Sequence, residues 1–243
     1  MEFAKTPLPI PPKVGPLQRP LSMKVMKHDG WARDAEDVRR RYRHLAAIYP
    51  IFEVLLGLPL GARSKTADRL GLAEGARVLE VGCGTGRNLP HLVKRVGRSG
   101  RVYGVDVTPE MIEVANRTCA KEEWSNVVLI EGDAEQVELP EPIDAVLFSL
   151  CYGVIPNHFA ALRNVWRQLR PGGRVVVLDG TLGAGNGWDV LRPLITSFSR
   201  RTVLGNPAKR PWEDLREIAG NVAKEELWPG IYYICWATRN TGV

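Results

Sequence analysis

The 243-residue sequence predicts a doubly wound α/β fold, a mostly parallel sheet with helices on both faces. Three observations carry that prediction. Five short apolar runs recur along the chain, the segments between them are long enough for crossover helices, and a glycine-rich turn directly follows the first run.

Residues 1–27 read as a flexible, proline-rich arm, because Pro7, Pro9, Pro11, Pro12, Pro16 and Pro20 impede both helix and sheet. Lys5, Lys13, Arg19, Lys24 and Lys27 against Glu2 alone give the arm +4 of the net +6, which leaves +2 for residues 28–243. Such an arm suits contact with an anionic membrane surface or nucleic acid, or is a solubilising terminus.

Residues 28–70 read as a helical N-terminal cap. From Asp34 to Leu56, charge-rich turns alternate with Leu45, Ala46, Ile48, Phe52 and Leu55, which share one helical face. Arg39, Arg40, Arg41 and Arg43 suit either a phosphate or a solvated face. The apolar stretch Ile48–Leu60 is broken by Pro50, Glu53 and Pro59, so it reads as a buried or interfacial helix rather than a membrane span. No signal-peptide pattern precedes it.

Residues 71–243 are expected to form one core. Its strands are Arg77–Val81, Arg101–Asp106, Val127–Asp133, Ala145–Leu150 and Arg174–Asp179, with helices at Gly86–Val96, Pro109–Cys119 and Asn157–Leu169. A further helix fits Asp189–Ser199, and Trp212–Ile218 offers one or two helical turns. Lys224–Trp228 and Ile231–Thr238, joined at Pro229–Gly230, read as a hairpin that brings the sheet to seven strands and adds a C-terminal antiparallel strand.

Cys83, Cys119, Cys151 and Cys235 are widely separated, and the four histidines do not complete a zinc-ligand spacing. No metal is expected. A reduced cytoplasmic protein follows, with peripheral contact at the inner membrane face left open.

The turn after the first strand reads Glu80-Val81-Gly82-Cys83-Gly84-Thr85-Gly86. Closely spaced glycines let backbone approach a ligand and present amide donors near a helix start. Its third glycine falls one residue short of the dinucleotide pattern, since residue 87 is Arg. Asp106, at the end of the second strand, can accept hydrogen bonds from vicinal ribose hydroxyls or cap a helix. Val107 and Met111 can flank an adenine or pack the sheet edge.

Together with Gly104-Val-Asp-Val-Thr-Pro-Glu-Met, Gly132-Asp-Ala-Glu and Leu169-Arg-Pro-Gly-Gly-Arg, this turn resembles the class I S-adenosylmethionine-dependent methyltransferases over about residues 75–180. The resemblance implies a Rossmann-like methyltransferase domain with S-adenosyl-L-methionine as cofactor and S-adenosyl-L-homocysteine as product. It gives Asp106 the ribose, and Glu80 the glycine turn or the methionine amine. Gly82, Cys83, Gly84 and Gly86 become the cofactor turn. Asp133 then lies near the adenine amino group, with Ala134 offering a backbone donor, although a structural loop acid is the alternative. Leu150 and Cys151 would supply backbone acceptors to the amino-acid end.

Tyr49, Tyr152 and His158 are the candidate catalytic side chains. A related arrangement in small-molecule members has an N-terminal tyrosine over the cofactor, a part open to Tyr42 or Tyr49, and hydrophobic packing is the alternative. Tyr152 can orient an acceptor atom, and His158 can relay a proton or serve as a cap. Asp179 can orient an amine or hold a loop.

The N-terminal segment, Cys83-Gly-Thr-Gly-Arg-Asn and the apolar insertion around Gly183–Phe198 are similar to bacterial phospholipid N-methyltransferases. A phosphatidylethanolamine-like amine is therefore the first acceptor expected, and a quinone or other hydrophobic metabolite, methylated on C or O, is the alternative. A non-catalytic cofactor-binding module is the third reading. Nucleic acid is disfavoured as a substrate by the small core charge and by the lack of an Asn/Asp-Pro-Pro-Tyr element.

Overall fold

The computed structural model describes residues 31–32, 34–44, 57–180, 205–206, 208–228 and 231–241. The arm at 1–27, Tyr49, the expected helix at 189–199, the 183–198 insertion and the turn at 229–230 lie outside them.

The described elements run α1 (Ala35–Tyr42), α2 (Ala62–Arg69), β1 (Arg77–Val81), α3 (Leu89–Val96), β2 (Arg101–Asp106), α4 (Pro109–Lys121), β3 (Val127–Glu131), β4 (Ile143–Ser149), α5 (His158–Gln168), β5 (Leu169–Gly180), α6 (Pro211–Ala219), β6 (Ala223–Trp228) and β7 (Tyr232–Thr238). The seven strands form one sheet in the order β3-β2-β1-β4-β5-β7-β6. The first five are parallel, and β7 pairs antiparallel with both β5 and β6. The order reverses between β1 and β4, which opens a crevice beyond their C-terminal ends.

Period-two alternation divides the core between the two faces of the sheet. Leu79, Val146, Phe148, Val175 and Val177 pack on one side with Ala161, Leu162, Val165 and Leu215 from α5 and α6. Val78, Ala145, Leu147, Val176 and Leu178 pack on the other with Ala67, Leu89, Leu92 and Val96 from α2 and α3. Each fully buried Leu or Phe here contributes roughly 1.5–3 kcal/mol relative to exposure. Glu80 interrupts this apolar pattern, a carboxylate only 1% exposed in the middle of the sheet.

Several elements differ in extent from expectation: α3 starts at Leu89 rather than Gly86, β3 ends at Glu131 rather than Asp133, and β4 starts at Ile143 rather than Ala145. β5 starts at Leu169 rather than Arg174, because Leu169 already pairs with Ile143 before the Arg170–Gly173 stretch bulges opposite Asp144. β3 is only partly buried, since as an edge strand it has a neighbour on one side alone.

Candidate active site

A cleft of about 750 Å³, counting its mouth to solvent, opens at the C-terminal ends of β1, β2 and β4. Val81, Gly82 and Gly84 line it from the first strand and its turn; Asp106, Val107, Thr108 and Met111 line it from the second strand and α4. The loop after β3 contributes Gly132, Asp133, Ala134 and Glu135. Ser149, Leu150, Cys151, Val154, Ile155 and Pro156 come from the end of β4 and beyond. Ala35, Val38 and Tyr42 close it from α1 at helical spacing.

Arg39 docks that helix. Its Nε donates to the Val107 carbonyl at 3.0 Å, and its guanidinium also pairs with Glu131. One arginine of the basic run thus works as a tether between α1 and the rim of the sheet.

The glycine turn is held by a carboxylate. Asp106 accepts from the Gly84 amide through Oδ2 and from the Thr108 amide through Oδ1, each at 2.9 Å. Burial raises the Asp106 pKa against the opposing effect of those bonds. The glycines have different work. A Cβ on Gly82 would lie 2.7 Å from the Cys151 Cβ, and one on Gly86 2.7 Å from Leu89 Cδ1, whereas one on Gly84 would meet nothing within 4 Å. Gly82 and Gly86 permit close packing; Gly84 presents open backbone to the cleft. All three have positive φ.

Below the turn lies a buried polar chain that sequence reasoning misses. Arg63 Nη1, from α2, donates to Asn88 Oδ1 at 2.8 Å and to Ser149 Oγ at 3.3 Å. Asn88 Nδ2 in turn donates to Glu80 Oε1 at 2.5 Å. Glu80 Oε2 and Thr85 Oγ1 are buried with no hydrogen-bond partner among the described residues. Burial pushes the Glu80 carboxyl up to about 7, with Asn88 and Arg63 pulling it down and Asp106 adding to the rise. The only sequence hint of this chain is the position of Asn88, just after Gly86 at the start of α3.

Leu150 has φ +58, an uncommon conformation for a side chain branched at Cγ. Its amide N–H donates a hydrogen bond to the Leu178 carbonyl at 2.7 Å, which fixes it. Backbone strain of this kind, on a cleft wall, is a feature that local packing must over-determine. Next to it, Cys151 Sγ donates to the Val81 carbonyl at 3.0 Å, and burial keeps that thiol protonated. Asp133 turns its own loop, accepting from the Glu135 amide at 2.9 Å.

Of the residues singled out from sequence, Gly82, Gly84, Asp106, Val107, Met111, Asp133, Ala134, Leu150 and Cys151 meet around this cleft. Glu80 lies beneath the turn, Gly86 packs on α3 and α4, and the Cys83 thiol fills the space beside Gly104. Tyr42 reaches the cleft, whereas Tyr49 lies outside the described residues.

Tyr152 and His158 meet each other rather than the cleft lining, with ring centroids 5.2 Å apart. Both turn to Asp214 on α6. The Tyr152 hydroxyl donates to Asp214 Oδ2 at 2.8 Å, and His158 Nε2 stands 3.4 Å from the same oxygen. Burial, then Lys209, holds the His158 pKa down at about 4, so the ring is neutral near neutral pH and its contact with Asp214 is not an ion pair. Nothing in the sequence flags Asp214, which lies 62 residues beyond Tyr152.

Residues 78–173 match a family model described as a methyltransferase domain. Over 118 residues the chain is 32% identical to a demethylmenaquinone methyltransferase of Geobacillus sp. (strain WCH70), covering 48% of this chain and 50% of that protein. The chain thus spans about half the length of the curated relatives it matches. Among solved structures, an Aquifex aeolicus SAM-dependent methyltransferase aligns with TM-score 0.56 at 22% identity, over 73% of this chain and 89% of that one. A Haemonchus contortus phosphoethanolamine N-methyltransferase aligns with TM-score 0.59 at 18% identity, over 74% of this chain and 53% of that one. The chain therefore carries the class I S-adenosylmethionine-dependent methyltransferase fold, with a methyltransferase domain over residues 78–173 related to that of the bacterial demethylmenaquinone enzymes.

Proposed function

We propose that this protein transfers the methyl group of S-adenosylmethionine to a hydrophobic small acceptor of the quinone type. The observation that carries the reading is the division of the cleft. Carboxylates and open backbone lie around the glycine turn, and apolar side chains of α1 and of residues 154–156 line the rest.

The residues present fit the cofactor. Glu80 Oε2 and Thr85 Oγ1 are buried acceptors in want of a donor, which an ammonium beside the turn would supply. Gly84 leaves room where a Cβ would intrude, and the Asp106 carboxylate lines the cleft beside it as an acceptor for a ribose. When bound, the cofactor supplies an electrophilic methyl on a sulfonium. The chain's part is to align the acceptor, exclude water with α1, and keep the thiols of Cys83 and Cys151 protonated and out of the reaction. Tyr152 and His158 act in this reading through the position of the 151–158 segment, not as bases.

An amine lipid is the acceptor expected first from sequence. The apolar wall and the names of the curated relatives favour the quinone-type alternative instead. Among the described residues no helix is long and apolar enough to cross a membrane.

The test is label transfer from methyl-labelled cofactor to three pools: hydroquinones, single-ring phenols and vesicles with amine headgroups. Label in the hydroquinone pool is expected. Label confined to the vesicles would reject the acceptor class, and cofactor binding without any labelled product would reject the enzyme.

A further inference from the structure

The segment Cys151–His158 is held by residues that do not line the cleft. Gly153 is central to this. Its amide donates to Asp179 Oδ2 at 2.9 Å, and its carbonyl accepts from the Asn206 amide, also at 2.9 Å. Gly205 lies directly on it: a Cβ there would stand 2.7 Å from the Gly153 carbonyl carbon and 3.0 Å from the Val154 amide nitrogen. Two residues on, Lys209 Nζ donates to the Ile155 carbonyl. Asp214 then takes the Tyr152 hydroxyl and faces His158.

Chain after residue 204 therefore grips the segment near its start, middle and end, by backbone contacts at Gly205 and Asn206 and by part-buried side-chain contacts from Lys209 and Asp214. The other side of the same segment presents Val154, Ile155 and Pro156 to the cleft. Because Gly205 and Gly153 touch backbone to backbone, neither can yield by moving a rotamer, so a change at one is passed to the wall.

We propose that Gly205 and Lys209 are positioning residues that set acceptor specificity by fixing the Val154–Pro156 wall, without contact with the methyl donor. This rests on the reading of that wall as the acceptor's side of the cleft. Asp106 and Glu80, two of the donor's candidate contacts, share no hydrogen bond with the grip among the described residues; Cys151, a third, is joined to the wall through its carbonyl, which accepts from the Val154 and Ile155 amides. A Cβ at residue 205 would stand 2.7 Å from the Gly153 carbonyl carbon, so the backbone of the wall must shift, which penalises a two-ring acceptor more than a one-ring acceptor.

The experiment compares the parent with Gly205→Ala and Lys209→Met. S-adenosylhomocysteine affinity is measured by calorimetry, and KM and kcat with a two-ring hydroquinone and a one-ring catechol. The expected result is unchanged S-adenosylhomocysteine affinity with a roughly tenfold rise in KM for the two-ring acceptor relative to the one-ring acceptor. Hydrogen exchange at the Val154 and Ile155 amides should quicken in Lys209→Met, a readout independent of turnover. If Gly205→Ala does not fold, Lys209→Met decides alone. Unchanged acceptor ratios, or an equal loss of donor affinity, would overturn the proposal while leaving the methyl-transfer reading intact. A parent that does not bind S-adenosylhomocysteine would overturn that reading and this one together.

Discussion

Glu80 and Asn88 share one hydrogen bond: Oε1 of the carboxylate accepts from Asn88 at 2.5 Å, while the buried Oε2 has no partner among the described residues. Burial leaves Glu80 with a pKa of about 7 against the ordinary 4.5. The folded chain thus binds this proton more tightly than the unfolded chain does. Its contribution to stability is complete below about pH 4.5 and is lost as pH rises through about 7. The difference is on the order of 3 kcal/mol. Without cofactor, unfolding free energy should therefore fall between about pH 5 and pH 8, and Glu80→Gln should flatten most of that slope, as measured by denaturant unfolding across the range. A parent slope that survives in the variant would remove Glu80 as its source.

The same carboxylate gives cofactor binding the opposite pH dependence. An ammonium pairs with the ionised form, so S-adenosylhomocysteine should bind more tightly as pH rises through about 7. Calorimetry in buffers of different ionisation heat should detect proton release below that pH. Glu80→Gln should bind weakly with a flat profile.

The two glycines at the turn should fail in different ways. Gly82→Ala, just past the end of β1, forces a Cβ to within 2.7 Å of Cys151 at a φ of +61, and should cost on the order of 1–3 kcal/mol of stability. Gly84→Ala meets no atom and has only its φ of +54 to overcome, roughly 1 kcal/mol. Its methyl stands in open cleft, so the fold should persist while cofactor affinity falls at least tenfold. Thermal melts with and without S-adenosylhomocysteine separate the two outcomes.

Asp106→Asn should affect more than ligand contact. Both carboxylate oxygens accept backbone amides, and an Asn side chain would turn its NH₂ toward either Gly84 or Thr108. A stability loss of about 1–3 kcal/mol is expected together with weakened cofactor binding. Weakened binding at parental stability would mean that the turn does not depend on this carboxylate.

Tyr152→Phe should leave cofactor affinity unchanged and lower stability by about 1–3 kcal/mol, because the partly buried Asp214 loses a donor. Donor affinity that drops with this variant would bring Tyr152 into the cofactor site instead.

The sheet is legible because its central strands are buried on both faces and read as near-continuous apolar runs. The turn was legible because glycines at 82, 84 and 86 follow such a run, and Asp106 because it ends the next one. Arg63 and Asp214 were not legible. Each reaches the site from a helix whose own pattern is ordinary, across 86 residues from Arg63 to Ser149 and 62 from Tyr152 to Asp214. Only the packing of α2 and α6 onto the sheet brings them there. Tyr152 and His158 were noticed for their chemistry, but period and spacing could not tell that Asp214 claims both.

The place of β7 has a further consequence. It follows the other six strands in sequence, yet it lies inside the sheet, hydrogen-bonded to β5 on one side and β6 on the other. While the chain is being synthesised, the outer edge of β5, with Val175–Leu178 fully apolar, has no strand to cover it until Tyr232–Thr238 emerges. Until β7 emerges, the nascent protein therefore carries a long, apolar, unpaired edge, the kind of intermediate that chaperones are kept to shield.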